Sequence, residues 1–278
     1  MSLQSIITAA IASGVLAGSS HAITIYGLGP GGQLYSFDSA TPGSVSAVGG
    51  ATVGGIVDID FRGSNNKLYG LTGTGATSTI NTLSGAVSAS FTPSHSLGGN
   101  VSGFDFNPAA DRMRIAVGGT NNFRMVPDGI SGMTAGTVVN GAAGGDGVFS
   151  VAPGVSVLDV AYTNPFNGMA GTSLFSIGSD GFLYNHPAAG SPTFNTMAAV
   201  GPLGISLAGD IGFDIAANGT GYLVTGNSLY TVNLTTGLAT SAGTIGQNLT
   251  SIAVVPEPTV TVMISVIGLG LLRRRRMR

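Results

Sequence analysis

The sequence predicts an all-β chain folded as a β-propeller, with five blades and a closing blade shared between the two chain ends. Three observations carry that expectation. Gly accounts for 46 of 278 residues, well above a usual share of about 7%, and abundant Ser, Thr and Val accompany it; Gly costs roughly 1 kcal/mol per helix position relative to Ala. Five segments share one alternating apolar pattern: Asp58-Ile59-Asp60-Phe61, Gly103-Phe104-Asp105-Phe106, Asp159-Val160-Ala161-Tyr162, Asp210-Ile211-Gly212-Phe213 and Ser251-Ile252-Ala253-Val254. Their last residues lie 45, 56, 51 and 41 positions apart, close to the period of about 40–50 residues of four-stranded propeller blades. A β-solenoid or an irregular sandwich is the alternative.

Each blade then fills in. A second strand follows most of the first ones after a Gly/Asn/Asp turn, as in Lys67-Leu68-Tyr69-Gly70-Leu71, Arg112–Val117, Ser173–Ile177 and Gly221-Tyr222-Leu223-Val224. A third appears at Thr79–Leu83, Asn122–Val126, Gly181–Tyr184 and Ser228–Val232, ending in turns such as Asp128-Gly129 and Thr236-Gly237. Ile23–Gly27 and Gln33–Phe37 read as a second and a third strand with no first strand of their own, while Ser251–Val254 reads as a first strand with nothing after it. Joining both ends in one blade closes the ring and leaves only short, protected edges.

The two ends read as addresses. Residues 1–22 hold an apolar run from Ile6 to Gly18 and a small-x-small triplet, Ser20-His21-Ala22, which is the pattern of a secretory signal. The start carries no Lys or Arg, so a true start upstream, or a buried N-terminal helix instead of a signal, stays open. Residues 255–278 hold Val255-Pro256-Glu257-Pro258, an apolar run from Val260 to Leu272, and Arg273, Arg274, Arg275, Arg276 and Arg278. The run spans about 20 Å as a helix, short of the ~30 Å hydrocarbon core; snorkelling arginines, cytoplasmic by the positive-inside tendency, make up part of the difference. This order of parts resembles the PEP-CTERM sorting signal of Gram-negative bacteria. The resemblance implies Sec export, passage through the inner membrane, recognition by an exosortase-type membrane protease, and delivery to the cell surface. A plain single-pass anchor is the alternative.

The body, residues 23–254, resembles the exported bacterial family DUF4394. The matching stretches are Val57–Arg62 with Leu68-Tyr69-Gly70-Leu71, and Phe104–Pro108 with Asp111–Arg114 and Asn122-Phe123-Arg124. The resemblance implies a propeller-like fold and no established activity.

Composition excludes several functions. The body has five cations against eleven aspartates, a balance of −6, and phosphate neutralisation needs clustered Lys and Arg, so nucleic acid is not an expected partner. Absence of Cys removes disulfides, thiolate metal ligands and a thiol nucleophile. His95 and His186 have no HExxH or His-x-His partner, and no Gly-x-Ser-x-Gly elbow occurs. Gly27-x-Gly29-x-x-Gly32 matches a dinucleotide fingerprint without the helix it needs, so it reads as a turn.

Two clusters remain as candidates. Asp58, Asp159 and Asp210 align at one position of the first strands, where carboxylates would ring one mouth of the channel as a hard-oxygen site suited to Ca²⁺; the blander reading has each Asp bonding nearby backbone amides. Asp111, Arg112, Arg114 and Arg124 form the densest polar patch, able to bind an anionic sugar bidentately or to pair internally. No residue is assigned a catalytic role. The expectation is an exported surface or matrix protein serving as a structural or binding module, with secreted polysaccharide as a partner. The alternative is a propeller hydrolase or lyase acting on glycans through the aspartates.

Overall fold

A computed structural model describes residues 22–257, except Gly129, Val151, Ala170 and residues 188–193. The signal expected over 1–22 and the apolar run and arginines expected over 258–278 therefore lie outside the described residues, save Ala22. Among the described residues no helix is long and apolar enough to cross a membrane.

The strands run in chain order as follows. The first three are β1 (Thr24–Leu28), β2 (Gln33–Asp38) and β3 (Ser46–Thr52). The next blade is β4 (Ile56–Arg62), β5 (Lys67–Thr72), β6 (Thr77–Ile80) and β7 (Val87–Phe91). A third blade is β8 (Val101–Asn107), β9 (Arg112–Val117), β10 (Asn121–Met125) and β11 (Val138–Val139). The fourth is β12 (Val157–Tyr162), β13 (Leu174–Gly178), β14 (Phe182–Asn185) and β15 (Ala198–Pro202). Last come β16 (Ile211–Ile215), β17 (Gly221–Thr225), β18 (Ser228–Val232), β19 (Ala239–Thr244) and β20 (Ser251–Val254). They pair into five antiparallel four-stranded sheets, and the closing sheet has the order β20-β1-β2-β3. The five-bladed propeller closed by both chain ends is thus the fold. Gly27 lies within β1 and residues 29–32 form the β1–β2 turn, with Gly32 N–H bonding Gly29 O at 3.0 Å, so the glycine fingerprint is a strand end and a turn.

Strands β4, β8, β12, β16 and β20 contact one another in a cycle and line the channel. Their alternating apolar residues point away from the axis into five hydrophobic clusters, one per blade junction. Phe104 and Phe106 of β8 meet Tyr69 and Leu71 of β5 in one of them; Ile252 and Val254 of β20 meet Tyr222 and Val224 of β17 in another. The period-2 pattern visible in the sequence is therefore the pattern of blade-to-blade packing.

The outer strands β3, β7, β11, β15 and β19 carry no charge. Four of the five outermost ladders contain a β-bulge, between Gln33 and Tyr35, Ser78 and Thr79, Leu183 and Tyr184, and Leu229 and Tyr230. Bulges twist an edge away from regular pairing, which supplies the protection that edge lysines give elsewhere.

One expectation is corrected. The aligned frame of β16 is shifted by two residues: Phe213, not Ile211, is the residue after the channel-facing position, and Gly212 is the equivalent of Asp58 and Asp159. Asp210 precedes the strand and is exposed. The local string Asp210-Ile211-Gly212-Phe213 mimics Asp58-Ile59-Asp60-Phe61, and only the cross-blade bonds separate the two frames.

Candidate functional site

The channel carries two tiers of side chains. The tier nearer one mouth is Asp58, Gly103, Asp159, Gly212 and Ser251, read around the ring from β4 to β20. The deeper tier, two residues on, is Asp60, Asp105, Ala161, Asp214 and Ala253. All five of these aspartates are buried.

Each polar side chain reaches forward to the exposed edge of the next inner strand. Asp58 Oδ2 accepts from Phe104 N–H at 2.6 Å, and Asp60 Oδ2 accepts from Phe106 N–H at 2.9 Å. Asp105 Oδ2 accepts from Tyr162 N–H at 2.9 Å. Asp159 Oδ2 accepts from Phe213 N–H at 2.7 Å, and Asp214 Oδ2 accepts from Val254 N–H at 2.5 Å. Ser251 closes the circle: its Oγ accepts from Ile59 N–H at 3.1 Å and donates to Asp58 Oδ1 at 2.5 Å. Every junction between blades is pinned by at least one such bond, always in the same rotational sense. The inner strand's edge amides would otherwise be buried without partners, at about 1–3 kcal/mol each.

The two tiers complement each other. Where the first tier has Gly, the strands approach too closely for a side chain: a Cβ on Gly103 would lie 2.8 Å from Asp159 Cα, and one on Gly212 would lie 2.7 Å from Ser251 Cα. At both of those junctions the second tier supplies the pin, Asp105 or Asp214. Alternating Asp with Gly cannot close around an odd number of blades. Ser251 occupies the fifth place, and it is small and able both to donate and to accept.

Crowding five carboxyls in a buried channel raises their affinity for protons. Burial, opposed by bonds from Ser251, Phe104 and Ile59, pushes Asp58 up to about 7, and burial likewise pushes Asp214 up to about 7. Burial and repulsion from Asp214 raise Asp60 well above the usual carboxylate value; burial with repulsion from Asp60 and Asp214 does so for Asp105, and burial with repulsion from Asp58 for Asp159. One carboxylate oxygen from each of Asp60, Asp105 and Asp214 lies within 4.8 Å of the others. The aspartates that converge are therefore these three, not Asp58, Asp159 and Asp210. Three oxygens at that spacing are a donor set of the hard-cation type, and equally a set that shares protons.

The basic patch is divided between two internal pairings. Arg114 is buried; its guanidinium donates to Asp146 Oδ2 at 2.8 Å, Asn122 Oδ1 at 2.7 Å and Tyr162 Oη at 3.2 Å, and it stacks over the Phe194 ring. Arg124, its cross-strand neighbour, pairs with the same Asp146. Burial alone would raise Asp146, but the guanidiniums of Arg124 and Arg114 outweigh it and hold the carboxyl below the usual range. Asp111 turns to Arg62, which also meets Asp128, and Arg112 bonds the backbone of Ala110 and Asp111. The four residues of the expected anion patch thus do not form one binding surface. Among the described residues Asp105 pairs with no arginine.

Two features were not read from the sequence. Ser176 Oγ lies 2.8 Å from His186 Nε2, a nucleophile–base distance, but both residues are buried, His186 packs against the rings of Phe149 and Phe194, and burial pushes His186 down to about 4. No substrate reaches that pair while the blade is folded. The second is a cavity of about 400 Å³ at the mouth where all five inner strands begin, lined among others by Val57, Asp58, Ser102, Leu158, Asp210 and Thr250 and overhung by the Gly29–Gly32 turn.

Comparison with known proteins follows the fold. A crystal structure from Bacteroides fragilis NCTC 9343, described provisionally as a 6-phosphogluconolactonase, aligns with a TM-score of 0.46 at 12% identity, over 86% of this chain and 99% of that one. A symmetrical protein whose de novo emergence is described as shaped by folding constraints aligns with a TM-score of 0.46 at 10% identity, over 82% and 93%. Likeness at this level carries no information on activity. No curated protein sequence matches. The model of the domain of unknown function DUF4394 matches residues 24–253, nearly the whole propeller from β1 to β20, and the chain belongs to that family.

Proposed function

We propose that the chain is an exported envelope protein whose propeller is a rigid structural or binding module and not a hydrolase or lyase. The observation that carries this reading is the engagement of the channel aspartates. Each of them is buried and bonded to the backbone of a neighbouring strand, so none is poised as a free nucleophile or base. A retaining or inverting glycosidase needs one ionised and one protonated carboxyl open to the sugar, and here the raised proton affinities act on the whole set together.

The address rests on the ends of the chain. The resemblance of residues 255–278 to a sorting signal supports Sec export followed by processing by an exosortase-type protease, with secreted polysaccharide as a partner on the far side. The fold adds one supporting fact. Val255 N–H bonds Thr24 O at 3.0 Å, so both ends of the body leave from the mouth opposite the cavity. A tail held in the inner membrane would keep that cavity facing away from the bilayer.

Fractionation of cells expressing the full chain, with mass spectrometry of both termini, tests the address. The expected mature form starts at Ile23 and ends near Pro256–Pro258. An intact chain with Arg278 retained in the inner membrane would replace sorting with plain anchoring.

A further inference from the structure

We infer that the face from which both chain ends leave docks on a phospholipid bilayer, with apolar turn tips entering the headgroup layer around the tail. The inference deepens the envelope reading and rests on one part of it, the entry of Val260–Leu272 into a membrane.

Strand direction sorts the side chains by face. All five inner strands begin at the cavity mouth, so in every blade the turns from first to second strand and from third to fourth strand lie at the opposite, exit face. Six large apolar side chains stand exposed among the described residues. Val57 and Val148 belong to the cavity side. Leu83 and Val87 at the β6–β7 turn, Met169 in the β12–β13 loop and Leu238 at the β18–β19 turn belong to the exit face. Exposed apolar side chains scattered singly are ordinary; the placement of these is not. Leu83, 87% exposed, and Leu238, 54% exposed, stand on the two blades that flank the closing blade, and the closing blade releases both chain ends. Each turn is fixed by an Asn: Asn81 Oδ1 accepts from Leu83 and Ser84 N–H, and Asn233 Oδ1 from Thr235 and Thr236 N–H. Separate apolar tips on one face suit a planar lipid surface, whereas a protein partner asks for a contiguous packed patch.

Charge sorts in the same direction. Lys67 and Arg112 begin the second strands of two adjacent blades at the exit face, and among the described residues neither is in an ion pair. Of the acids on that face, Asp111 and Asp128 are held by Arg62, which leaves Asp38 and, on the tail, Glu257. The turns of the cavity face carry Asp180 and Asp210 and no Lys or Arg. An anionic bilayer attracts the first face and repels the second.

The tether is short. Val255 N–H bonds Thr24 O and Pro256 is buried, so residues 257–259 are all that separates the body from the apolar run. Three residues reach about 11 Å at full extension. A body held that close presents its exit face to the headgroups, and binding then scales with the apolar area buried there and with attraction to anionic lipid.

The chain has no Cys, so a single introduced cysteine carries a fluorophore to one place. Leu83→Cys, Leu238→Cys, Val148→Cys and Val266→Cys variants of the full-length chain, labelled with nitrobenzoxadiazole and reconstituted in vesicles of phosphatidylethanolamine and phosphatidylglycerol, test the proposal. Val148 is an exposed apolar control on the cavity side, and Val266 reports the tail. Nitroxide-labelled lipid is expected to quench the labels at 83, 238 and 266 and to spare the label at 148. Quenching at 266 with labels at 83 and 238 no more quenched than 148 would overturn the docking face and leave the membrane tail standing. Labels at 83 and 238 shifted to the blue without quenching would overturn it in favour of a protein contact. An unquenched 266 would sink the tail reading; the face would then stand if 83 and 238 are quenched and fall with the tail if they are not.

Discussion

Gly212→Ala is expected to lower the stability of the propeller by about 3 kcal/mol or more, the upper part of the range for overpacking, which for a domain of this size lowers Tm by roughly 10 °C. The added methyl would stand 2.7 Å from both Ser251 Cα and Ile252 N. Those atoms are backbone of β20, the strand that closes the ring, and cannot move aside as a side-chain end would. Relief would require β16 and β20 to separate, which stretches the Asp214 bond to Val254 N–H and loosens the cluster of Ile252, Val254, Tyr222 and Val224. Gly54→Ala is the control: no atom lies within 4 Å of the place its methyl would take, and its stability is expected to match wild type. Thermal unfolding of the two variants side by side measures the difference.

The second large effect is on pH. An Asp titrates near 3.9 in the unfolded chain, whereas burial holds Asp58 and Asp214 at about 7 and raises Asp60, Asp105 and Asp159 well above their usual value. The folded chain therefore binds more protons than the unfolded one between those limits. The stability linked to these groups is fully present below about pH 4 and is lost as pH rises through the folded values, about 7 for Asp58 and Asp214. His186 works the other way: burial depresses it to about 4, so its contribution grows as pH rises from about 4 to about 6.5. Asp146, held low by Arg124 and Arg114, adds stability above about pH 4 that is lost only as pH falls further. Between pH 6.5 and 8.5 His186 and Asp146 add no slope, and the fall set by Asp58 and Asp214 remains. Each proton of difference contributes a slope of about 1.4 kcal/mol per pH unit. Urea unfolding is expected to show stability falling by about 1–2 kcal/mol across that window, with a shallower fall in Asp214→Asn. A flat or rising profile would mean that the channel carboxyls are ionised and compensated in the folded chain.

Much of this architecture is legible in the residues, and the parts that are not have physical reasons. Inner strands announce themselves because they pack on both flanking blades, which imposes alternation such as Phe104-Asp105-Phe106. Outer strands such as Ser46–Thr52 and Ala239–Thr244 pack on one side only, need no large apolar residue, and leave no pattern to read. The frame of β16 slips because Asp210-Ile211-Gly212-Phe213 satisfies the local pattern, while the requirement for Gly at the true position comes from Ser251 across a blade junction. That requirement is a property of the ring and of its odd number of blades. The basic patch misleads for a similar reason. Asp146 sits in a run of glycines with no periodicity around it, so its partnership with Arg114 and Arg124 exists only in three dimensions. Arg62, 49 positions from Asp111 in the chain, takes the carboxylate that adjacency would give to Arg112. The Ser176–His186 pair is equally silent, since neither residue carries a neighbouring motif.

Together the pins and the glycine approaches account for how a chain with 8% charged residues comes to bury five aspartates. They are the means by which five blades, each able to bury only one face against the next, hold their inner edges together without a disulfide.

Urea unfolding of Asp159→Ala beside Asp210→Ala at pH 6 tests that account most directly. Asp159 bonds Val160 and Phe213 N–H and its loss strands both, so Asp159→Ala is expected to lose about 2–4 kcal/mol, while Asp210→Ala, outside the strand and exposed, stays within about 0.5 kcal/mol of wild type. Equal stability for the two variants would contradict the pinning role and return the channel aspartates to the pool of candidate functional groups.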